Sequence, residues 1–360
     1  HVSRYLVGFT NGVYDFADVD NPVYHSFSDR MAVLSLLPYD YEPSATCPMW
    51  VSFLKSILTP AQVSLLQKYL SLGIAPRDAA SRKIEETLWL VGNGANGKSV
   101  IFEVVKAVYG EDNISSMSLH NMIKDGDDGA RFRAVIVGKI FNYCTEVNTS
   151  DIGRYEGNFK SLCSGEQKEY RRIGGNVEVT SDIPYLVFNM NKKPSNRSMG
   201  EAFMRRLLLI QFRTTVSRQD MRPDLVSELT TELSGIRNWL IQGYKELQRD
   251  GFRFTPTKES LAETEEYLLE NGQTIKIFLR AREYRPNRYS GHWEERPKIV
   301  SAQSLYNDYV SFCERKMYDK ETSNAFGREL HMQGFQKRKQ SSNNIYEVFC
   351  DNEISYAFNV

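Results

Sequence analysis

Gly92-Asn93-Gly94-Ala95-Asn96-Gly97-Lys98-Ser99 decides the reading of this chain. It satisfies GxxxxGK[ST] in full, and its flanks fit. The apolar run Thr87 to Val91 reads as a buried strand, and Val100 to Val108 has helical periodicity closed by Gly110. Glycines at 92, 94 and 97 let a backbone curl around phosphate oxygens, with N–H groups and a helix N-terminus facing the anion. The whole loop, Asn93, Ala95 and Asn96 included, is therefore the expected nucleotide cradle. Lys98 would reach the terminal phosphates and Ser99 would ligate Mg²⁺, so ATP and Mg²⁺ are the expected cofactors.

A phosphate loop hydrolyses nothing until a second strand brings an acid to the metal and the attacking water. Ile140-Phe141-Asn142-Tyr143-Cys144-Thr145-Glu146 has that form. Glu146 can polarise water or hold Mg²⁺ through water, and because Thr145 stands where a second acid is usual, both roles stay open. A third apolar run, Tyr185 to Met190, ends in Asn191, which can sense the γ-phosphate or orient water; strand alternation favours it over Asn189. Arg205 and Arg206 precede the run Leu207 to Phe212, and one of them can act as an arginine finger on a neighbouring subunit's nucleotide.

The rest of the sequence frames this centre. With 360 residues, 45 basic against 45 acidic side chains and 41% hydrophobic residues, the chain can bury a large core, which excludes disorder, collagen and a small disulfide scaffold. It contains no apolar run near the length of a membrane span and no signal-like start, and so reads as a soluble protein of the cytoplasm. The five cysteines and five histidines are scattered, against a disulfide framework or a zinc site. Zero net charge means that any nucleic acid must be held by local basic clusters.

Three parts are expected. Residues 1–80 form a lead-in, with short strands and hairpins from Tyr5 to Tyr41 and then helices at Pro48 to Leu58 and Ala61 to Leu72, the second capped by Thr59, Pro60 and Gln62. Residues 81–250 form an α/β layered core, in which Ala134 to Val137 is one of the short apolar runs and Arg222 to Gln248 is a single closing helix. Residues 251–360 carry helices at Leu261 to Arg280, Ser301 to Lys316 and Ser323 to Gln333, then a strand pair near Phe335 to Arg338 and Asn344 to Phe349. That order suggests a winged-helix module.

The glycine loop, the strand ending in Glu146, the segment Phe159-Lys160-Ser161-Leu162-Cys163-Ser164-Gly165-Glu166 and the strand ending in Asn191 with Pro194 stand in one order. Together they resemble the superfamily 3 helicases, specifically the phage, plasmid and poxvirus-type primase-helicases. Asn11-Gly12-Val13-Tyr14-Asp15 and Tyr39-Asp40-Tyr41-Glu42-Pro43 resemble that group's lead-in. The resemblance implies an AAA+ type P-loop core that assembles as a hexameric ring, hydrolyses ATP between subunits and pulls single-stranded DNA through its pore in the 3′ to 5′ direction. It also implies a pore hairpin at Lys168 to Thr180. Independently, Gly174-Gly175-Asn176 between alternating segments is a hairpin signal.

DNA contacts are expected from Lys160, Lys168, Arg171, Arg172 and Asn176, and from Lys337, Arg338 and Lys339 in the tail, where the basic stretch can equally keep an edge strand soluble. The tip departs from the Lys or His of relatives. No primase site is legible, and the opening at His1 fits a fragment whose priming domain, if there is one, lies upstream. The alternative reading is an ATP-switched module that binds an origin or recruits a primase without processive unwinding.

Overall fold

The computed structural model describes residues 5–28, 33, 35–92, 94–144, 156–190, 205–214, 216, 222–255, 258–270, 273–286, 297–340 and 343–349. These fall into two compact units, one running to Leu261 and the other beginning at Ala262.

The first unit opens on β1 (Leu6–Phe9), β2 (Gly12–Asp15), β3 (Val23–His25) and β4 (Leu36–Leu37), which form a small sheet in the order β3-β2-β1-β4. Its inner side is aromatic: Phe9, Tyr14, Phe16 and Tyr41 pack ring on ring. Helices α1 (Pro48–Ile57) and α2 (Pro60–Leu70) follow. The expected capping box is present, with the Thr59 side chain on the Gln62 amide and the Gln62 side chain on the Thr59 amide.

Next comes the α/β layer: β5 (Thr87–Val91), α3 (Lys98–Tyr109), β6 (Ile114–Ser115), α4 (Leu119–Ile123), α5 (Gly126–Ile136), β7 (Phe141–Cys144), α6 (Glu156–Cys163), the hairpin β8 (Lys168–Arg171) and β9 (Val177–Thr180), then β10 (Tyr185–Met190) and β11 (Leu207–Gln211). The sheet runs β11-β5-β10-β7-β6, and every pairing in it is parallel. Strand β5 is buried along its whole length, as a parallel strand covered on both faces must be. The run 134–137 is not a strand of this sheet. It ends α5, whose inward positions Gly129, Ala130, Arg133 and Ile136 follow helical spacing.

Two helices close the unit, α7 (Leu225–Thr230) and α8 (Leu233–Arg249), in place of the single one expected. The break at Thr231–Glu232 has a use: both Glu232 carboxylate oxygens accept backbone N–H groups from Met49 and Trp50, satisfying the open first turn of α1. From α8, Arg237 lies buried over the rings of Phe9 and Phe16, 5.1 and 4.7 Å from their centroids. The lead-in therefore shares one hydrophobic core with the α/β layer and is not a separate domain.

Helix α9 (Lys258–Glu270) leads into the second unit. There α10 (Thr274–Ala281), β12 (Arg285–Pro286), β13 (Lys298–Ser301), α11 (Ala302–Lys316), α12 (Ser323–Met332), β14 (Lys337–Gln340) and β15 (Asn343–Phe349) enclose their own core around Phe278, Tyr309 and Phe326. Strand β15 pairs with β12, β13 and β14, all antiparallel. The single helix expected over 261–280 is two, with Gln273 at the start of the second. No helix among the described residues is long and apolar enough to cross a membrane.

Candidate nucleotide site

The glycine loop leaves the carboxyl end of β5, an inner strand, and turns into α3. Gly97 makes that turn with φ +87°, a left-handed conformation that suits glycine. A Cβ on Gly97 would also stand 2.8 Å from Ile57 Cδ1 and 3.0 Å from Phe53 Cζ, so α1 buttresses the loop from behind. On another side, Val216 N–H donates to the Ala95 carbonyl at 2.7 Å. Gly94 and Ala95 are exposed at the crest, and the space around Gly94 is open.

Lys98 is only 4% exposed, and its Nζ donates to the Gly92 carbonyl and to Asn96 Oδ1, the latter at 3.0 Å. The Phe212 ring lies 5.7 Å away. These acceptors are neutral, so the ammonium is held without a carboxylate among these contacts, and burial pushes its pKa down to about 8. Such a lysine is poised to exchange loop carbonyls for phosphate oxygens, which bring negative charge.

Ser99, in the first turn of α3, is exposed. The residues fit a nucleotide polyphosphate: backbone amides beside an open crest, a buried cation and an accessible hydroxyl. Ser99 is the side chain that would hold Mg²⁺. Asn93, Glu146 and Asn191 lie outside the described residues, although β7 and β10, which lead to the last two, lie side by side with β10 next to β5.

The two arginines occupy the opposite edge. Thr87 N–H donates to the Arg206 carbonyl where β5 and β11 begin. Five residues of strand, about 16 Å, separate that edge from the glycine loop. Arg206 is 4% exposed and forms an ion pair with Glu85 at 2.8 Å, with Ser164 Oγ at 3.2 Å. Arg205 reaches the same Glu85 oxygen at 3.1 Å, but 58% of its side chain is exposed. The pair is thus divided into one internal arginine and one at the surface.

The hairpin is present, turning at Gly174 with φ +74°. Arg133, buried on α5, donates to the Glu169 carbonyl at 2.8 Å and to the Lys124 carbonyl at 2.9 Å, fixing β8 from below. Desolvation, and then the nearby Arg133 charge, lower the pKa of Lys168. Arg171 forms an ion pair with Asp127 at 2.9 Å and donates to the Gly175 carbonyl. Arg172 and Asn176 stand exposed at the tip beside Ile173, whose side chain is fully in solvent. Lys160 sits half-buried on α6.

In the tail, Lys337, Arg338 and Lys339 are all exposed on β14, yet alternation splits them between faces, and Arg338 pairs with Glu347 on β15 at 2.8 Å. Sequence reasoning gives Glu85 and Ser164 no role: Glu85 lies in a charged connector without a pattern, and Ser164, although inside the quoted segment 159–166, is not singled out there.

Residues 90–206 match a family profile described as a family of unknown function (DUF5906), and residues 1–59 match one described as D5 N terminal like. Among solved structures, the apo structure of the NrS-1 C terminal region (305-718) is similar at 13% identity, with 96% of this chain and 95% of that chain covered and a TM-score of 0.49. An A-form apo structure of the NrS-1 C terminal region is similar at 12% identity, with the same coverages and a TM-score of 0.45.

The lowered Lys98 pKa gives a measurable signature. Bound phosphate should restore the lysine's proton, so a nucleoside diphosphate titrated at pH 8.5 should take up a sizeable fraction of a proton per site, whereas at pH 6.5 Lys98 is already protonated and only the diphosphate's own ionisation contributes, as proton release. Calorimetry in buffers of differing ionisation enthalpy reads this directly. Lys98→Met should abolish the uptake, and equal uptake in that variant would remove Lys98 from the site.

Proposed function

We propose that this chain is the motor part of an ATP-driven DNA helicase of the superfamily 3, AAA+ type, within a primase-helicase of a phage, plasmid or DNA virus. It works as a ring, most simply a hexamer, moving 3′ to 5′ along single-stranded DNA. The observation that carries this reading is the placement of the glycine loop and Arg205 at opposite edges of one parallel sheet. An arginine so placed cannot serve its own protomer's nucleotide across about 16 Å of strand, but it suits the nucleotide of an adjacent copy.

In this reading Lys98 and the loop amides bind the β- and γ-phosphates of ATP, and Ser99 holds Mg²⁺, which neutralises charge on the phosphates. Glu146 activates water, Asn191 senses the γ-phosphate, and Arg205 enters from the neighbouring subunit. Arg206 acts from inside its own protomer by holding Glu85. Hairpin residues Arg172 and Asn176 face the DNA in the pore, with Lys160 and Lys168 nearer its base. The second unit's order of helix, strand, two helices and hairpin supports a winged-helix module, with Lys337 and Lys339 available to a phosphate backbone. A priming domain would belong to a longer form of the protein.

Two variants test the assignment of the arginines. Arg205→Ala should lower ATP turnover about 10³-fold or more while ADP affinity stays within twofold. Arg206→Ala should instead lower the unfolding midpoint, because it empties a packed site and removes the buried partner of Glu85. Turnover intact in Arg205→Ala would remove the shared-site mechanism.

For the hairpin, Arg172→Ala should weaken oligothymidylate binding and reduce the salt slope by about 0.7 for each phosphate that a subunit no longer neutralises. Arg171→Ala should do less, because its guanidinium is turned onto the Gly175 carbonyl and is less exposed than that of Arg172. Fluorescence anisotropy across a salt series checks both, and an equal effect of the two variants would contradict the assignment.

A further inference from the structure

We propose that Glu85 and Ser164 form a positioning relay that couples Arg205 to the β8–β9 hairpin, so that DNA held by the hairpin governs the arginine serving the next subunit's nucleotide. The relay rests on the reading of Arg205 and of the hairpin given above, and it names what connects them.

Glu85 stands two residues before β5. One of its oxygens accepts from Arg205 at 3.1 Å and Arg206 at 2.8 Å, and the other accepts the Ser164 hydroxyl at 3.0 Å. Ser164 is buried immediately after α6 and four residues before β8. Its position is fixed by the turn that ends α6: Gly165 adopts φ +59°, and Glu166 N–H returns to the Ser161 carbonyl at 3.1 Å. One carboxylate thus joins the base of the hairpin to the chain that enters β11.

Arg77 makes this base a single mechanical piece. Its Nη2 donates to the Cys163 carbonyl and its Nη1 to the Ile183 carbonyl, both at 2.8 Å, while its guanidinium lies 4.6 Å from the centroid of the Tyr185 ring. Cys163 adjoins Ser164, and Ile183 follows β9. Both legs of the hairpin therefore end on one guanidinium, and a load on either leg reaches Ser164.

The two arginines respond unequally to such a load. Arg206 is buried, and leaving the half-buried Glu85 would strand its charge away from water. Arg205 is exposed, and an exposed ion pair is weak, so it leaves Glu85 readily. Arg205 thus has two positions, docked on Glu85 or extended to a neighbour, and the Ser164 hydroxyl biases the choice through the second Glu85 oxygen.

The test is Ser164→Ala in the full chain, with ATP turnover measured with and without saturating oligothymidylate. Wild type should be stimulated several-fold. Ser164→Ala should keep its basal rate and its oligonucleotide affinity within about twofold but retain less than a third of the stimulation. Glu85→Gln is the second variant and decides the matter should Ser164→Ala fail to fold. It should raise the DNA-free rate about threefold and respond little to oligonucleotide, an outcome that loss of packing alone does not produce.

Undiminished stimulation in Ser164→Ala, or an unstimulated wild type, overturns the relay. Turnover that persists in Lys98→Ala overturns the nucleotide reading and the relay together. Turnover that requires Lys98 but is fully stimulated in Ser164→Ala overturns the relay alone.

Discussion

Parallel strands deliver all their carboxyl ends to one edge of a sheet, and in this protein that polarity keeps the phosphate-type loop and the arginines apart. Strand β5 carries the glycine loop at one end and receives the Arg206 carbonyl at the other. Arg205 cannot cross a gap of about a strand's length to its own glycine loop without breaking the ladder. A second copy that presented its opposite edge would close it, which is the arrangement proposed above. In the proposed mechanism the need for a second copy thus follows from strand direction rather than from any one side chain.

Buried and half-buried arginines hold the surrounding parts in register, and they do so largely through neutral partners. Arg77 spends its donors on the carbonyls of Ile84, Cys163, Ile183 and Pro184, and Arg133 on those of Met122, Lys124 and Glu169. Arg237 lies against two aromatic rings; burial raises the pKa of Tyr39, and the Arg237 charge opposes part of that rise. A guanidinium suits such places because its planar fork satisfies several carbonyls at once and remains protonated. Arg206 differs in facing a carboxylate, and that carboxylate is the one shared with an exposed arginine.

Local signals in the sequence are strong where physics is local. The strand Thr87–Val91, the Thr59 capping box, the Ser323 helix and the hairpin at Gly174 follow from burial, capping and turn chemistry within a few residues, and each stands where those signals put it. The run 134–137 misleads because four apolar residues have no period of their own, and a helix end buries such a run as well as a strand does. The break at Glu232 is invisible in the sequence because its cause, the open N-terminus of α1, lies over 180 residues away. Arg205 and Arg206, adjacent and identical in type, are separated only by burial, which depends on Glu85 and Ser164 and hence on the folded whole.

The central claim is that each catalytic centre is completed by a second subunit, and complementation tests it most directly. Lys98→Ala and Arg205→Ala chains, each inactive alone, are mixed under assembling conditions. Random assembly places an intact loop against an intact arginine at roughly a quarter of interfaces, so turnover should reappear at about that fraction of the wild-type rate. A mixture as inactive as its separate components, although it co-assembles, would contradict the account.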